Sequence, residues 1–174
     1  MSKIRWAQIG TKHGHASGKF LALNTNPNCE VAGIFEPDAS RRKEVENLEP
    51  YAGAHWFENA DEIYQDESIQ AVASEGANIE SLDQTEALVD ANKHVWYDKP
   101  AGYNWEQWQR VVAAAEEKGL LIQLGYMFRY HAAFNQIDEW VKSGFLGDIT
   151  SLRGHMSTSL PTNRREALSI FKGG

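Results

Sequence analysis

At 174 residues, with 42% apolar and 24% charged side chains, the chain suits one well-buried domain, or one domain and part of another, and not a disordered segment. A formal net charge of −7 speaks against a nucleic-acid surface, which needs clustered Lys and Arg. No run of about twenty apolar residues is present to span a membrane and no secretory apolar leader opens the chain; with Cys29 alone, no internal disulfide can form, and a cytoplasmic protein is expected.

Short β-type runs alternate with helical patterns along the chain. The runs are Ile4–Ile9, Glu30–Phe35, Ala54–Phe57, Ile69–Ser74, His94–Tyr97 and Leu120–Gly125, several of them almost continuously apolar, as when helices cover both faces of a parallel sheet. Helices are expected at Gly14–Leu23, Ala39–Leu48, Ala60–Tyr64, Ser81–Ala91 and Trp105–Lys118. The last is the best specified: Asn104 suits the N-cap with Gln107 as its reciprocal partner, Trp105, Trp108, Val112 and Ala115 share a face fit for core packing, and Gly119 suits the C-terminal stop. This alternation predicts an α/β fold, a doubly wound parallel sheet with right-handed crossovers.

The alternation ends near Gly125, which sets expected domains of 1–125 and 126–174. The second part opens with an amphipathic helix carrying Phe134, Ile137 and Val141 and ending at Gly144; a long strand, Asp148–Ser157, and a charged tail, Leu160–Gly174, follow. Such a strand needs a sheet partner for its backbone, from another copy of the chain, from the edge of the first sheet, or from further polypeptide.

The first strand runs into GTKHGH, Gly10–His15. A dinucleotide turn uses one glycine for the bend, a second for approach of the pyrophosphate and a third for close helix packing. Gly10 fits the first role, Lys12 and His15 occupy the other two positions, and Gly14 and Gly18 are placed to take over part of the work. Glu36, at the end of the second strand and about twenty residues on, is placed to accept from a ribose 2′-hydroxyl and to repel a 2′-phosphate, which favours NAD over NADP. Pro37-Asp38 equally fits a plain turn into a helix cap. His13 and His15 raise the possibility of a metal, but with no second Cys and no third ligand evident none is expected.

Asp98-Lys99-Pro100 stands at the C-terminal end of His94–Tyr97, the edge at which open parallel sheets bind their ligands. A partly desolvated Lys99 ammonium there suits hydrogen bonding to a substrate hydroxyl, with Asp98 orienting it; an exposed turn is the plainer alternative.

The glycine turn at Gly10, NKHVWYDKPAGY at Asn92–Tyr103 and GYMFRYHAAFNQIDEWVKSGFLGDI at Gly125–Ile149, in that order, resemble the Gfo/Idh/MocA oxidoreductases, the glucose–fructose oxidoreductase and inositol dehydrogenase family. The resemblance implies a Rossmann-type NAD(P) domain followed by an α/β domain with a mainly antiparallel sheet that builds the substrate pocket and commonly the oligomer interface. It places Lys99, with Pro100 beside it, against substrate and nicotinamide, and lays the loop Glu75-Gly76-Ala77-Asn78 along the cofactor. Gly10, Thr11, Lys12, His13, Gly14 and His15 would hold the diphosphate, and Tyr126 and Arg129 would enter the substrate cleft. Asp98 replaces the family's usual glutamate, and Lys12, standing for glycine, could reach a phosphate. Family members continue beyond this length to an Asp and a His that join the lysine in catalysis; His13, His94, His131 and His155 do not match that position.

The expectation is therefore the cofactor-binding part of an NAD-dependent oxidoreductase for a sugar, polyol or related hydroxy compound, poorly active as this chain alone. The alternatives are a non-catalytic dinucleotide-binding or interaction module that dimerises through the Asp148–Ser157 strand, and a relative that uses NAD transiently to cleave glycosides.

Overall fold

The computed structural model describes residues 2–157, which group into two compact units, one through Gly125 and one from Tyr126. In the first, β1 (Ile4–Ile9), β2 (Cys29–Phe35), β3 (Ala71–Ser74), β4 (His94–Tyr97) and β5 (Ile122–Leu124) form a wholly parallel sheet in the order β2-β1-β3-β4-β5. Helices α1 (Ala16–Thr25), α2 (Ala39–Val45), α3 (Asp61–Tyr64), α4 (Ser81–Asp90) and α5 (Trp105–Glu117) connect them. The strands are apolar on both faces because helices cover both. Ala7, Ile9, Val72, Leu88, Val95 and Val111 are among the residues of one buried cluster, while Phe20, Ile34, Val45 and Tyr51 form a second. Each fully buried Val, Leu, Ile or Phe among them contributes about 1.5–3 kcal/mol.

Register positions the site. Ile9 pairs with Ser74, and Ser74 pairs with Tyr97, so three strands end level. Their next residues, Gly10, Glu75 and Asp98, stand side by side along one edge. The strand order turns back between β1 and β3, which makes that point of the edge the topological switch of the sheet.

Several sequence expectations shift. Ala54–Phe57 is not a strand: it makes a single bridge, Ile34 with Trp56, held by Ile34 N–H to His55 O at 2.9 Å and Phe57 N–H to Ile34 O at 2.8 Å. Helix α1 begins at Ala16 and not at Gly14, because the His13 N–H donates to Glu75 O and Ala16 N–H to His13 O, which keeps the chain in a turn for two more residues. Asn104 caps α5 by accepting from Gln107 N–H at 3.1 Å, but the Gln107 side chain does not return the bond; it donates to Asp83 and Glu86 on α4, both at 2.7 Å. Charged acceptors outcompete a backbone partner there. The buried face of α5 runs through Gln107, Val111 and Ala115, leaving Trp105, about a third of a turn from the centre of that face, 69% exposed.

The second unit carries a 3₁₀ turn at Met127–Tyr130 and α6 (Ala132–Lys142), capped by His131 Nδ1 accepting from Ala133 N–H at 3.2 Å. Gly144 follows the helix with φ +74°, the left-handed stop glycine accommodates best. Asp148–Ser157 forms no strand, and among the described residues none pairs with it. A lone segment gains no ladder hydrogen bonds, so without a sheet partner it does not form the expected strand. The tail from Leu160 lies outside the described residues. No helix among the described residues is long and apolar enough to cross a membrane.

Candidate functional site

The level strand ends bring three loops together: Gly10–His15 after β1, Glu75–Asn78 after β3 and Asp98–Pro100 after β4. Gly10 has φ +84°, and a Cβ there would stand 2.5 Å from Gly76 N and 2.7 Å from the Glu75 carbonyl carbon. Only a glycine lets the two loops approach this closely. Gln8, fully buried, fixes the turn by donating from Nε2 to Gly10 O at 2.9 Å. Gly14 opens onto empty space, consistent with a helix start left accessible, whereas Gly18 is exposed with nothing near it and does not ease packing against the sheet.

Beside this contact, an open cavity of about 500 Å³ is lined by Ile9, Phe35, Pro37, Ile79, Glu80 and Gln84. Glu36, between Phe35 and Pro37 in sequence, does not line it and turns inward. It is 4% exposed, with Oε2 accepting from the Thr11 hydroxyl at 2.7 Å and Oε1 from the Asp38 N–H at 3.0 Å. Arg41 closes over Thr11, donating from Nε to its hydroxyl at 3.3 Å and from a terminal nitrogen to its carbonyl at 3.2 Å. Lys12 is exposed and lies between two carboxylates. Its ammonium lies 3.4 Å from Glu80 and 3.5 Å from Asp38, and although partial burial pulls its pKa down, those carboxylates hold it above the ordinary value.

On the other side of Gly10 lies a buried charge cluster. Glu75 is fully buried and Lys19 nearly so, and the two pair directly. Lys19 also lies 3.3 Å from Asp98, under the ring of Trp96 at 4.9 Å. Asp98 Oδ2 meets His15 Nδ1 at 2.8 Å and stands 3.7 Å from His13 Nδ1, while Oδ1 accepts from the Lys99 backbone N–H at 2.9 Å. Burial alone would raise the Asp98 carboxyl; the bonds from His15 and the Lys99 N–H, with Lys19 and His13 nearby, hold it below the ordinary carboxylate value. Asp98 is thus directed at His15 and Lys19 and does not orient the Lys99 ammonium as the sequence suggested. Lys99 itself is exposed, ahead of a cis bond to Pro100.

Of the expected site residues, the structure brings together Gly10 and Gly76, Thr11 and Glu36, and His13, His15 and Asp98. Asn78 is half-buried in the loop before α4. Tyr126 and Arg129 belong to the second unit, where both are exposed. Sequence reasoning missed Lys19; a lysine four residues past His15, on the otherwise buried side of α1 with Ala16, Phe20 and Leu23, is the signal that pointed to a buried acidic partner.

The model of an oxidoreductase family with an NAD-binding Rossmann fold (Gfo/Idh/MocA) matches residues 4–126, and the chain belongs to that family. It is 26% identical over 152 residues to inositol 2-dehydrogenase of Salmonella paratyphi B, covering 86% of this chain and 45% of that one. It is 28% identical over 131 residues to a dTDP-3,4-didehydro-2,6-dideoxy-alpha-D-glucose 3-reductase of Actinomadura kijaniata, covering 75% of this chain and 38% of the relative. The solved myo-inositol 2-dehydrogenase of Lactobacillus plantarum superposes with TM-score 0.70 at 18% identity, over 85% of this chain and 43% of that one. A variant of a 3-ketoreductase from A. kijaniata, in complex with TDP-benzene and NADP, gives 0.69 at 24% identity, over 84% and 46%. The chain spans less than half the length of these relatives.

Proposed function

We propose that this chain is the dinucleotide-holding portion of an NAD-dependent oxidoreductase that acts on a sugar, polyol or related hydroxy compound. The observation that carries this reading is the backbone-to-backbone approach of Gly10 and Gly76 at the sheet's switch point, where α1 begins. A helix N-terminus beside two loops that meet through glycines suits a diphosphate, which takes backbone N–H donors and the positive end of the helix dipole. The neighbouring cavity, walled by Ile9, Phe35 and Pro37, suits the apolar faces of an adenosine.

When bound, the nicotinamide supplies hydride acceptance and donation. This chain's residues then have separable tasks. Glu36 keeps a negative charge beside the ribose end, which favours a 2′-hydroxyl over a 2′-phosphate, although Arg41 stands close by. Lys99, exposed at the edge, donates from Nζ to a substrate hydroxyl oxygen and so orients that hydroxyl. Asp98 holds the base of that loop through the Lys99 N–H. Tyr126 and Arg129 are assigned to substrate on the resemblance of their motif, as is the wider division into a cofactor domain of 1–125 and a substrate and oligomerisation domain beyond it. Calorimetric titration with NAD and NADP tests the reading: one NAD per chain, bound more tightly than NADP, is expected, and no heat with either nucleotide at millimolar concentration would refute it.

A further inference from the structure

We propose that His13, His15 and Asp98 form a binding site for a divalent transition-metal ion. One donor atom from each of these residues lies within 4.8 Å of the other two. Ion–donor bonds of about 2.0–2.2 Å in a tetrahedral set place ligands about 3.3–3.6 Å apart, so the widest pair must close by up to about 1.5 Å. The half-exposed His15 ring has room for that movement. Two imidazoles with one carboxylate select Zn²⁺, Co²⁺, Fe²⁺ or Ni²⁺ over Ca²⁺ and Mg²⁺, which take oxygen ligands. Three protein donors leave a coordination position for water or a ligand oxygen, as in sites that do chemistry.

A second observation points to the same place. Glu75 is fully buried, and its Oε2 has no hydrogen-bond partner, yet it lies 3.5 Å from His13 Nδ1. Lys19 satisfies the other oxygen. Two buried carboxylates, Glu75 and Asp98, face one buried ammonium, Lys19, so one carboxylate charge has no lysine of its own. A cation beside His13 offsets that charge and faces the orphaned oxygen, whereas an uncompensated buried carboxylate is costly. Lys19 remains on Glu75, so Asp98 is the acid available to the ion. The site does not depend on dinucleotide binding: it uses imidazole and carboxylate side chains, while the diphosphate reading uses backbone N–H groups.

The test is a Co²⁺ titration of the tag-free, chelator-stripped chain without nucleotide, followed by the visible ligand-field band. One ion per chain is expected, with affinity lowered at least about tenfold in H15Q, in D98N and in the H13Q/H15Q double variant. H131Q, which alters a histidine of the second unit, should titrate as the parent does. Circular dichroism separates loss of binding from loss of fold, and the exposed His15 keeps one informative variant if D98N fails to fold. No saturable band up to about millimolar Co²⁺, or an unchanged band in folded H13Q/H15Q, would overturn the proposal.

Discussion

Gly10 and Gly76 meet backbone to backbone: a Cβ on the first would stand 2.5 Å from the amide nitrogen of the second. The first residue of the loop after β1 is thereby fixed against the loop after β3, with no side chain between them. Because Gly10 also has φ +84°, Gly10→Ala combines an unfavourable backbone conformation with a clash against main chain that cannot turn aside. The variant should lose more than about 1 kcal/mol of stability in urea unfolding, along with nucleotide binding. Gly14→Ala meets nothing within 4 Å and should change stability by less than about 0.5 kcal/mol.

Asp98→Asn removes the charge that His15, the Lys99 N–H and Lys19 share. Charge-assisted hydrogen bonds of this kind contribute about 1.5–3 kcal/mol, and a loss of that order is expected at neutral pH. The folded carboxyl titrates below its ordinary value of 3.8, so the unfolded chain takes up the proton first. The contribution is therefore complete above about pH 5 and fades as pH falls through 3.8 towards the lower folded value. Urea midpoints of parent and variant, measured across acid pH, should converge below that point.

Glu36→Gln keeps the size of the side chain but exchanges a doubly accepting carboxylate for an amide, one end of which can only donate. The Gln oxygen can still accept from the Asp38 N–H, but its NH2 only donates, so Thr11 must turn from donor to acceptor and the charge-assisted bonds become neutral ones, at a cost of about 1–3 kcal/mol. Removing the negative charge should also narrow the preference for NAD over NADP, read from the two calorimetric affinities of the variant.

Lys12 bridges Glu80 and Asp38 in largely exposed ion pairs. Such exposed pairs contribute little and weaken with salt. Lys12→Gln should therefore shift stability only slightly and in a salt-dependent manner. Because the ammonium is already engaged by two carboxylates, NAD affinity should change by less than about threefold.

What could be read in the sequence was what depends on near neighbours. Ile4–Ile9 and His94–Tyr97 were legible from their apolar runs, Asn104 from its capping chemistry, and Gly10 from the sharp turn between strand and helix. Contacts set by the fold were not. His15 and Asp98 are 83 residues apart and Lys19 and Glu75 are 56 apart; only the register of β1, β3 and β4 brings them together. The same limit accounts for Asp98, whose nearest neighbour in sequence, Lys99, is not the charge it meets, and for Lys12, whose phosphate-like partners are two carboxylates from other loops. Asp148–Ser157 has the composition of a strand, but pairing depends on a partner that composition cannot supply.

Titration of the parent chain and of Gly10→Ala with NAD, followed by isothermal calorimetry, tests the dinucleotide reading most directly. One site per parent chain with a dissociation constant below millimolar, and its loss in a Gly10→Ala variant that circular dichroism shows to be folded, is the expected result. Binding that persists unchanged in the folded variant, or that is absent from the parent, would contradict it.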